Sequence, residues 1–159
     1  MHEKAIELDH DMAGAYNNLG NAYYNQGNLT KAIQMWEKAI ELEPDMAGAY
    51  NNLGAAYDDQ GNLTKAIQMW EKAIELDPEY DGAYNNLGLA YDNQGNLTKA
   101  IQMWEKAIEL NPDDADAYYN LGLAYHYDDF DQALFYYKKA ARLGDQDAQD
   151  WLKENGYDW

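Results

Sequence analysis

A repeat with a period of 34 residues constrains this chain more than any other feature of its sequence. Residues 13–46 form one unit, and residues 47–80 and 81–114 repeat it with few changes. A fourth unit at 115–147 is more divergent and one residue shorter. Self-similarity at this spacing is typical of arrays in which each unit packs against its neighbours. We therefore expect stacked copies of one small element rather than a single central core.

Each unit is predicted to be a pair of helices joined by a short turn. In unit one, Tyr16, Leu19 and Tyr23 recur at helical spacing and form the apolar face of a first helix. Gly27 supplies a left-handed helix end and Asn28 a suitable N-cap for the second helix. The apolar stripe of that second helix consists of Ala32, Ile33, Trp36, Ala39 and Ile40. One such hairpin cannot bury its apolar face alone, but stacked neighbours can.

These residues resemble the pattern of the tetratricopeptide (TPR) family, which places aromatic, Leu-Gly, Ala and Pro residues at fixed offsets. Unit one supplies Tyr16, Leu19, Gly20, Tyr23, Ala32, Trp36, Ala39 and Pro44. Units two and three match at every place, and unit four has Asp145 where Pro is expected. The resemblance implies an all-α fold, a right-handed α-α superhelix (solenoid) of TPR helical hairpins with first helices on the concave side. It also implies a non-enzymatic scaffold that binds proteins or peptides.

The expected organisation is one solenoid domain. The residues before unit one, 2–12, align with 36–46, which indicates that the chain begins inside the second helix of a preceding repeat. The expected segments are 1–12 (partial second helix), 13–46 (TPR 1), 47–80 (TPR 2), 81–114 (TPR 3), 115–147 (divergent TPR 4) and 148–159 (C-terminal capping helix and tail).

The polar face of each first helix is the candidate binding surface, because it lies opposite the apolar stripe at about 100° per residue. The first three units differ on this face and in the turn before it, whereas the second-helix stretch GNLTKAIQMWEKAIEL is unchanged. Such variation on a fixed scaffold indicates diversification for a ligand; the alternative is faster drift of exposed positions. The candidate peptide-binding residues are Asn17, Asn18, Asn21, Tyr24, Asn25, Asn51, Asn52, Asp58, Asp59, Asn85, Asn86, Leu89, Asp92, Asn93, Tyr119, Asn120, Leu123 and His126.

One position of this face is asparagine in all four units, as Asn18, Asn52, Asn86 and Asn120. An amide side chain both donates and accepts hydrogen bonds, so a row of them could hold an extended peptide backbone. The row is similar to the asparagine ladder of the superhelical TPR arrays in O-linked N-acetylglucosamine transferase and kinesin light chains. The alternative is that these are solvated helix residues copied by duplication.

The net charge of −18 is distributed unevenly over the repeat. The first-helix segments 13–26, 47–60, 81–94 and 115–128 contain no Lys or Arg, whereas every lysine of the first three units lies on a second helix. A groove of one sign favours a partner of the other sign, so we expect a protein or peptide partner with Lys or Arg. Carboxylate-clamp TPR domains hold chaperone C-termini with Lys and Arg on this face, which argues against such a tail here. The alternative is that the acidity only keeps the array soluble.

Composition excludes several other functions. The charge argues against nucleic acid and against an anionic membrane surface. The chain has no Cys or Ser and no HExxH motif, so we expect no catalytic residue, no metal site and no cofactor. The acidic groups at 113–116 and 128–131 are expected to be helix caps and turns rather than calcium loops. Without a secretory signal or a long apolar run, a cytoplasmic location is expected.

Two other interpretations remain open at this level. The incomplete repeats at the two ends could stack head to tail, giving self-association with Trp151, Tyr157 and Trp159 near the joint. The close identity of three units also permits an engineered or truncated array without a native ligand.

Overall fold

The computed structural model describes the backbone of residues 2–159 and the side chains of residues 12–159. Within that part the chain forms nine α-helices and no strand. They are α1 (His2–Asn25), α2 (Leu29–Leu42), α3 (Ala47–Asp59), α4 (Leu63–Leu76), α5 (Asp81–Asn93), α6 (Leu97–Leu110), α7 (Ala115–Tyr125), α8 (Phe130–Leu143) and α9 (Gln146–Glu154). The predicted all-α fold of helical hairpins is confirmed.

The chain divides into two compact units, an N-terminal unit (Met1–Ala83) and a C-terminal unit (Tyr84–Trp159). In the N-terminal unit α1 packs against α2, and α3 packs against both α2 and α4. In the C-terminal unit α7 packs against α6 and α8, and α9 packs against α8. Sequential packing of this kind is what a hairpin repeat requires, since each pair buries its apolar stripe against its neighbours.

The turn inside each of the first three hairpins follows the predicted chemistry. Gly27 has φ of 75°, in the left-handed region that glycine enters without steric cost. The Asn28 side chain then accepts a hydrogen bond from the backbone N–H of Lys31 at 3.3 Å, which caps α2. The same pair of residues closes the other two turns, as Gly61 with Asn62 and Gly95 with Asn96.

The two helices of each hairpin approach closely at the Gly of the Leu-Gly pair. A Cβ atom added at Gly20 would lie 2.5 Å from Nε1 of Trp36, well inside contact distance. The same overlap would occur between Gly88 and Trp104, and between Gly122 and Tyr137. The aromatic ring of the second helix therefore lies directly on the backbone of the first helix, and only glycine leaves room for it.

The N-terminal boundary differs from the expectation. The backbone of α1 is one continuous helix from His2 to Asn25, so no turn separates a partial second helix at 1–12 from a first helix at 13. The sequence offers a reason, because His10 stands where the aligned unit has Pro44. Proline ends or kinks a helix, whereas histidine continues it. The expected packing of side chains in 1–11 lies outside the described residues.

The fourth hairpin and the final helix end differently from the other units. Gly144, with φ of 102°, forms a left-handed cap at the end of α8, near the place where the other units carry Pro. Asp145 then accepts a hydrogen bond from the backbone N–H of Ala148 at 2.6 Å and begins α9. Asp114 and Asp129 cap α7 and α8 in the same way, so these two acids of the clustered groups have the predicted capping role.

Candidate functional site

A pocket of about 280 Å³ lies on the first-helix face of the N-terminal unit. All but one of the residues that line it come from the predicted stripe on α1 and α3; the exception is Trp36 of α2. The lining residues are Asn21, Tyr24, Asn25, Trp36, Asn52 and Ala55. Asparagine amides and aromatic rings form most of the wall of this concave surface.

Amide side chains in this pocket form one hydrogen-bonded network. The Nδ2 group of Asn52 on α3 donates to Oδ1 of Asn17 at 3.2 Å and to Oδ1 of Asn21 at 2.9 Å, both on α1. The indole N–H of Trp36 donates to the same Asn21 oxygen at 3.0 Å. Because this network joins two first helices to the aromatic ring below them, it fixes the positions of the amides.

A tyrosine and an aspartate form a second contact between α1 and α3 on the same face. The hydroxyl of Tyr24 donates to Oδ2 of Asp59 at 2.7 Å, which links α1 to α3. The hydrogen bond to Asp59, with partial burial and the nearby carboxylates, raises the pKa of Tyr24 to about 12. The phenol therefore stays protonated over the physiological pH range.

A second pocket of about 280 Å³ lies on the first-helix face of the C-terminal unit, and its lining includes more aliphatic side chains. Leucine and alanine side chains and two aromatic rings form most of its wall. The lining residues are Leu89, Asp92, Leu97, Trp104, Asn120, Leu123, Ala124 and Tyr127. Asn120 is 9% exposed, and its Nδ2 group donates to Oδ1 of Asn85 at 3.2 Å. That bond repeats the pairing of Asn52 with Asn17 in the other unit.

The indole N–H groups of the three equivalent tryptophans differ in their hydrogen bonding. Trp36 donates to the side chain of Asn21, and Trp70 donates to the backbone carbonyl of Asn51 at 3.2 Å. Trp104 is 2% exposed, and its Nε1 is buried without a hydrogen-bond partner. The residue that faces Trp36 as Asn21 is replaced by Leu89 in the C-terminal unit, and a leucine side chain has no acceptor.

The predicted site residues are only partly brought together. Asn21, Tyr24, Asn25 and Asn52 line the first pocket, and Leu89, Asp92, Asn120 and Leu123 line the second. Asn17 and Asn85 lie behind these walls as hydrogen-bond acceptors. Other predicted residues line neither pocket: Asn18, Asn51, Asp58, Asp59, Asn86, Asn93, Tyr119 and His126.

Tyr119 and His126 lie among the aromatic residues near the C-terminal end. The ring of Tyr119 lies 5.8 Å from that of Tyr137, between ring centroids. His126 contacts the ring of Trp151 edge-on at 5.5 Å, and its Nδ1 lies 3.4 Å from the Tyr137 hydroxyl. The fourth unit lacks the turn glycine of the others, and α7 ends at Tyr125, so His126 belongs to the turn rather than to the helical face.

Charge is separated between the two kinds of helix. On the second helices, Lys38, Lys72 and Lys106 each pair with a glutamate of the same helix at 2.6 to 3.0 Å. Other second-helix lysines lie over tyrosine rings: Lys31, Lys65 and Lys99 lie 4.8 to 5.1 Å from the centroids of Tyr23, Tyr57 and Tyr91. The exposed carboxylates Asp58, Asp59 and Asp92 on the first helices have no lysine or arginine on their own helices.

The part of the chain that the structure describes has neither a metal-binding cluster nor a membrane-spanning helix. No group of three or more His, Asp or Glu side chains there could hold a metal ion. None of its helices has both the length and the apolar character needed to cross a bilayer.

Six lining residues are absent from the predicted set: Trp36, Leu97, Trp104 and Ala124 lie off the helical stripe, Ala55 lies on it, and Tyr127 lies beyond the end of α7. Helical periodicity places Trp36 and Trp104 in the core, yet each also forms part of a pocket wall. Leu97 enters from the start of α6. The sequence feature that could have indicated these residues is the replacement of Asn21 by Leu89 at the equivalent repeat position, next to a tryptophan that is the same in both units. This replacement alters both the shape and the hydrogen bonding of the site.

Comparison with known proteins assigns the class. Models of the TPR repeat match residues 3–27, 20–61, 56–95 and 93–127, and a model of the Sel1 repeat matches 115–145. A comparison with curated protein sequences finds no match. The repeats define the chain as a helical-repeat scaffold for protein interaction. It belongs to the tetratricopeptide repeat family, and its divergent fourth unit also fits the Sel1 pattern.

Solved structures of other proteins resemble this fold and support the family assignment. A crystal structure of MamA is 34% identical over 92% of this chain and 86% of that chain, with a TM-score of 0.75. The pilF protein of Pseudomonas aeruginosa is 25% identical over 93% of this chain and 71% of that chain, with a TM-score of 0.81. The first TPR of Spaghetti (RPAP3) bound to the HSP90 peptide SRMEEVD is 25% identical over 73% of this chain and 92% of that chain, with a TM-score of 0.70.

Proposed function

We propose that this protein binds an extended peptide carrying Lys or Arg on its first-helix faces and catalyses no reaction. The observation that carries the proposal is that each compact unit has a pocket on this face, lined largely by the predicted stripe. One similar TPR structure, the first TPR of RPAP3, is bound to a peptide of HSP90, which supports peptide binding here.

The charge of the face supports a basic ligand. Asp58 and Asp59 are exposed at the end of α3, and Asp92 is exposed in the wall of the second pocket. The second-helix lysines described above are held by glutamates or tyrosine rings, so they do not neutralise these carboxylates. The HSP90 peptide SRMEEVD is itself acidic near its end, and a face without Lys or Arg does not suit such a ligand.

The amide network supports an extended backbone as ligand. Asn52 uses its Nδ2 group within the protein, so its Oδ1 atom is the group that it presents to a peptide N–H. Asn21 uses its Oδ1 atom within the protein, so its Nδ2 group can donate to a peptide carbonyl. Together the two side chains offer one acceptor and one donor, which is the pairing that a single peptide unit requires.

A peptide panel tests the proposal. Acetylated, amidated peptides of alternating Lys and Gly, and of alternating Glu and Gly, are titrated against the protein by fluorescence anisotropy. We expect the Lys peptides alone to bind, with an affinity that falls as salt rises, because exposed charges are screened. Binding of the Glu peptides, or binding of the Lys peptides that does not depend on salt, would contradict the charge assignment.

A matched pair of variants locates the contact. Asp58→Asn with Asp59→Asn removes two charges from the proposed face, and Glu41→Gln with Glu75→Gln removes two charges from second helices of the same unit. We expect the first pair to weaken binding by several-fold and the second to leave it nearly unchanged. Equal losses from both pairs would show that net charge, and not this face, attracts the peptide.

A further inference from the structure

The pocket of the C-terminal unit contains a buried hydrogen-bond donor that has no acceptor. Trp104 lines this pocket and is 2% exposed, and its Nε1 has no hydrogen-bond partner among the described residues. Nearly all buried N–H groups in folded proteins are paired, so an unpaired one calls for an explanation. The equivalent donors of Trp36 and Trp70 are both satisfied, which excludes a general defect of the repeat.

The residue at the repeat position of Asn21 differs among the three units: Asn21 accepts from Trp36, Ala55 has no acceptor and Trp70 donates to a backbone carbonyl instead, and Leu89 has no acceptor for Trp104. The exchange of Asn21 for Leu89 removes an acceptor and adds an apolar side chain that is 42% exposed. Leu123, one helix pair further along the same unit, is 49% exposed in the wall of the same pocket. Two exposed leucines thus flank a buried donor.

We propose that this pocket is a subsite for one large apolar peptide side chain, Leu or Met, flanked in its peptide by Lys or Arg. The apolar side chain packs against Leu89, Leu123 and the indole of Trp104. A carbonyl of the same peptide accepts from the Trp104 N–H, and Asp92 pairs with the flanking cation. The inference rests on the proposed peptide-binding function and adds the selectivity of one of its two pockets.

The dimensions and charge of the pocket fit this occupant. A volume of about 280 Å³ lies just below the usual range of ligand pockets, which suits a single side chain with its adjoining backbone. Asp92 is the one ionisable carboxylate in the lining, and no basic side chain accompanies it. Because the indole N–H has almost no contact with solvent, side chains of the pocket wall must shift before a peptide carbonyl can reach it.

The test uses one peptide with a single variable residue. Lys and Gly alternate around a central Leu, Ala or Asn, and each peptide is titrated against the ¹⁵N-labelled protein. We expect the Leu peptide to bind at least about tenfold more tightly than the Ala peptide, as is usual for filling an apolar pocket. We also expect the indole N–H resonance of Trp104, assigned with Trp104→Phe, to move downfield on binding, while that of Trp36 moves less.

Two substitutions of exposed leucines provide the contrast. Leu89→Asn gives the C-terminal unit the residue that satisfies Trp36 in the other unit, so the preference for Leu over Ala should fall to within about twofold. Leu143→Asn removes a leucine of similar exposure, 37%, at the end of α8, away from the pocket. This second variant should keep the full preference for Leu.

The outcomes separate this inference from the proposed function. If Lys peptides bind but do not discriminate between Leu and Ala, or if the Trp104 resonance does not move, the subsite is refuted and peptide binding stands. If none of the peptides binds, both proposals are refuted. If Leu89→Asn and Leu143→Asn lower the preference equally, the apolar selectivity does not reside in this pocket.

Discussion

The two pockets are built on the same second-helix sequence, yet they differ in chemistry. In the N-terminal pocket the indole of Trp36, Asn21 and Asn52 share one hydrogen-bonded network. In the C-terminal pocket Leu89 faces Trp104, and the indole N–H has no partner. The two pockets therefore differ at the first-helix residue beside the tryptophan, which is Asn21 in one and Leu89 in the other. The hairpin packing is the same in both pockets, because each tryptophan ring lies on a glycine of the first helix, Gly20 or Gly88.

The largest expected effect tests the feature that both pockets share. Gly20→Ala places a methyl group about 2.5 Å from Nε1 of Trp36, so the indole or the helix must shift. Overpacking of this kind costs about 1–3 kcal/mol, and the better helix propensity of alanine offsets about 1 kcal/mol. We expect a net loss of up to about 2 kcal/mol in the free energy of unfolding, measured by urea denaturation.

The control lies on the same helix. Gly14 has no atom within 4 Å of a Cβ added to it, so Gly14→Ala should gain stability by up to about 1 kcal/mol. Equal effects of the two substitutions would mean that contact with the ring does not decide the residue at Gly20.

The next effect tests what separates the two pockets. Phenylalanine keeps an aromatic ring but has no N–H. Trp36→Phe therefore removes a hydrogen bond, whereas Trp104→Phe removes an N–H group that makes no hydrogen bond. Both variants lose similar packing, because the two tryptophans are equally buried at 2% exposure. We expect Trp36→Phe to be the more destabilising by about 1 kcal/mol in urea denaturation. An equal loss would show that the Trp104 N–H is satisfied in solution, for example by a bound water molecule.

The sequence predicts the hairpins well because their determinants are local. The period of the apolar residues, the glycine at φ of 75° and the capping asparagine each act within a few residues, and all three are found as expected at Gly27 and Asn28. The contact between Gly20 and Trp36 can also be predicted from the sequence, since both residues belong to the TPR pattern. The family assignment that follows from these features is confirmed by the TPR models.

The candidate site is less predictable because it depends on which atoms meet across helices. Helical periodicity places Asn21 and Asn52 on one face, but it does not reveal that their amides bond to each other and to an indole. Periodicity also fails where the helix ends, as at His126, which belongs to a turn. A single residue can extend a helix through an expected boundary, as His10 does in place of proline.

The smallest expected effect contrasts two tyrosines, one in each unit. Tyr24 and Tyr137 both have a pKa raised to about 12, but the leading cause is the hydrogen bond to Asp59 for Tyr24 and burial for Tyr137. Each phenol is protonated in the folded protein up to a higher pH than in the unfolded chain. The resulting stability is therefore complete below about pH 10 and is lost as the pH rises towards 12.

Asp59→Asn separates the two causes. It removes the carboxylate beside Tyr24, so the pKa of that phenol should return towards 10, while that of Tyr137 should not change. Because Tyr24 is largely solvated, screening keeps its contribution to stability well below about 1 kcal/mol, so the titration is the better measurement. Tyrosine ionisation followed by ultraviolet difference absorption should lose one late-titrating group in Asp59→Asn. If the number of late-titrating groups does not change, the hydrogen bond to Asp59 is not what raises the pKa of Tyr24.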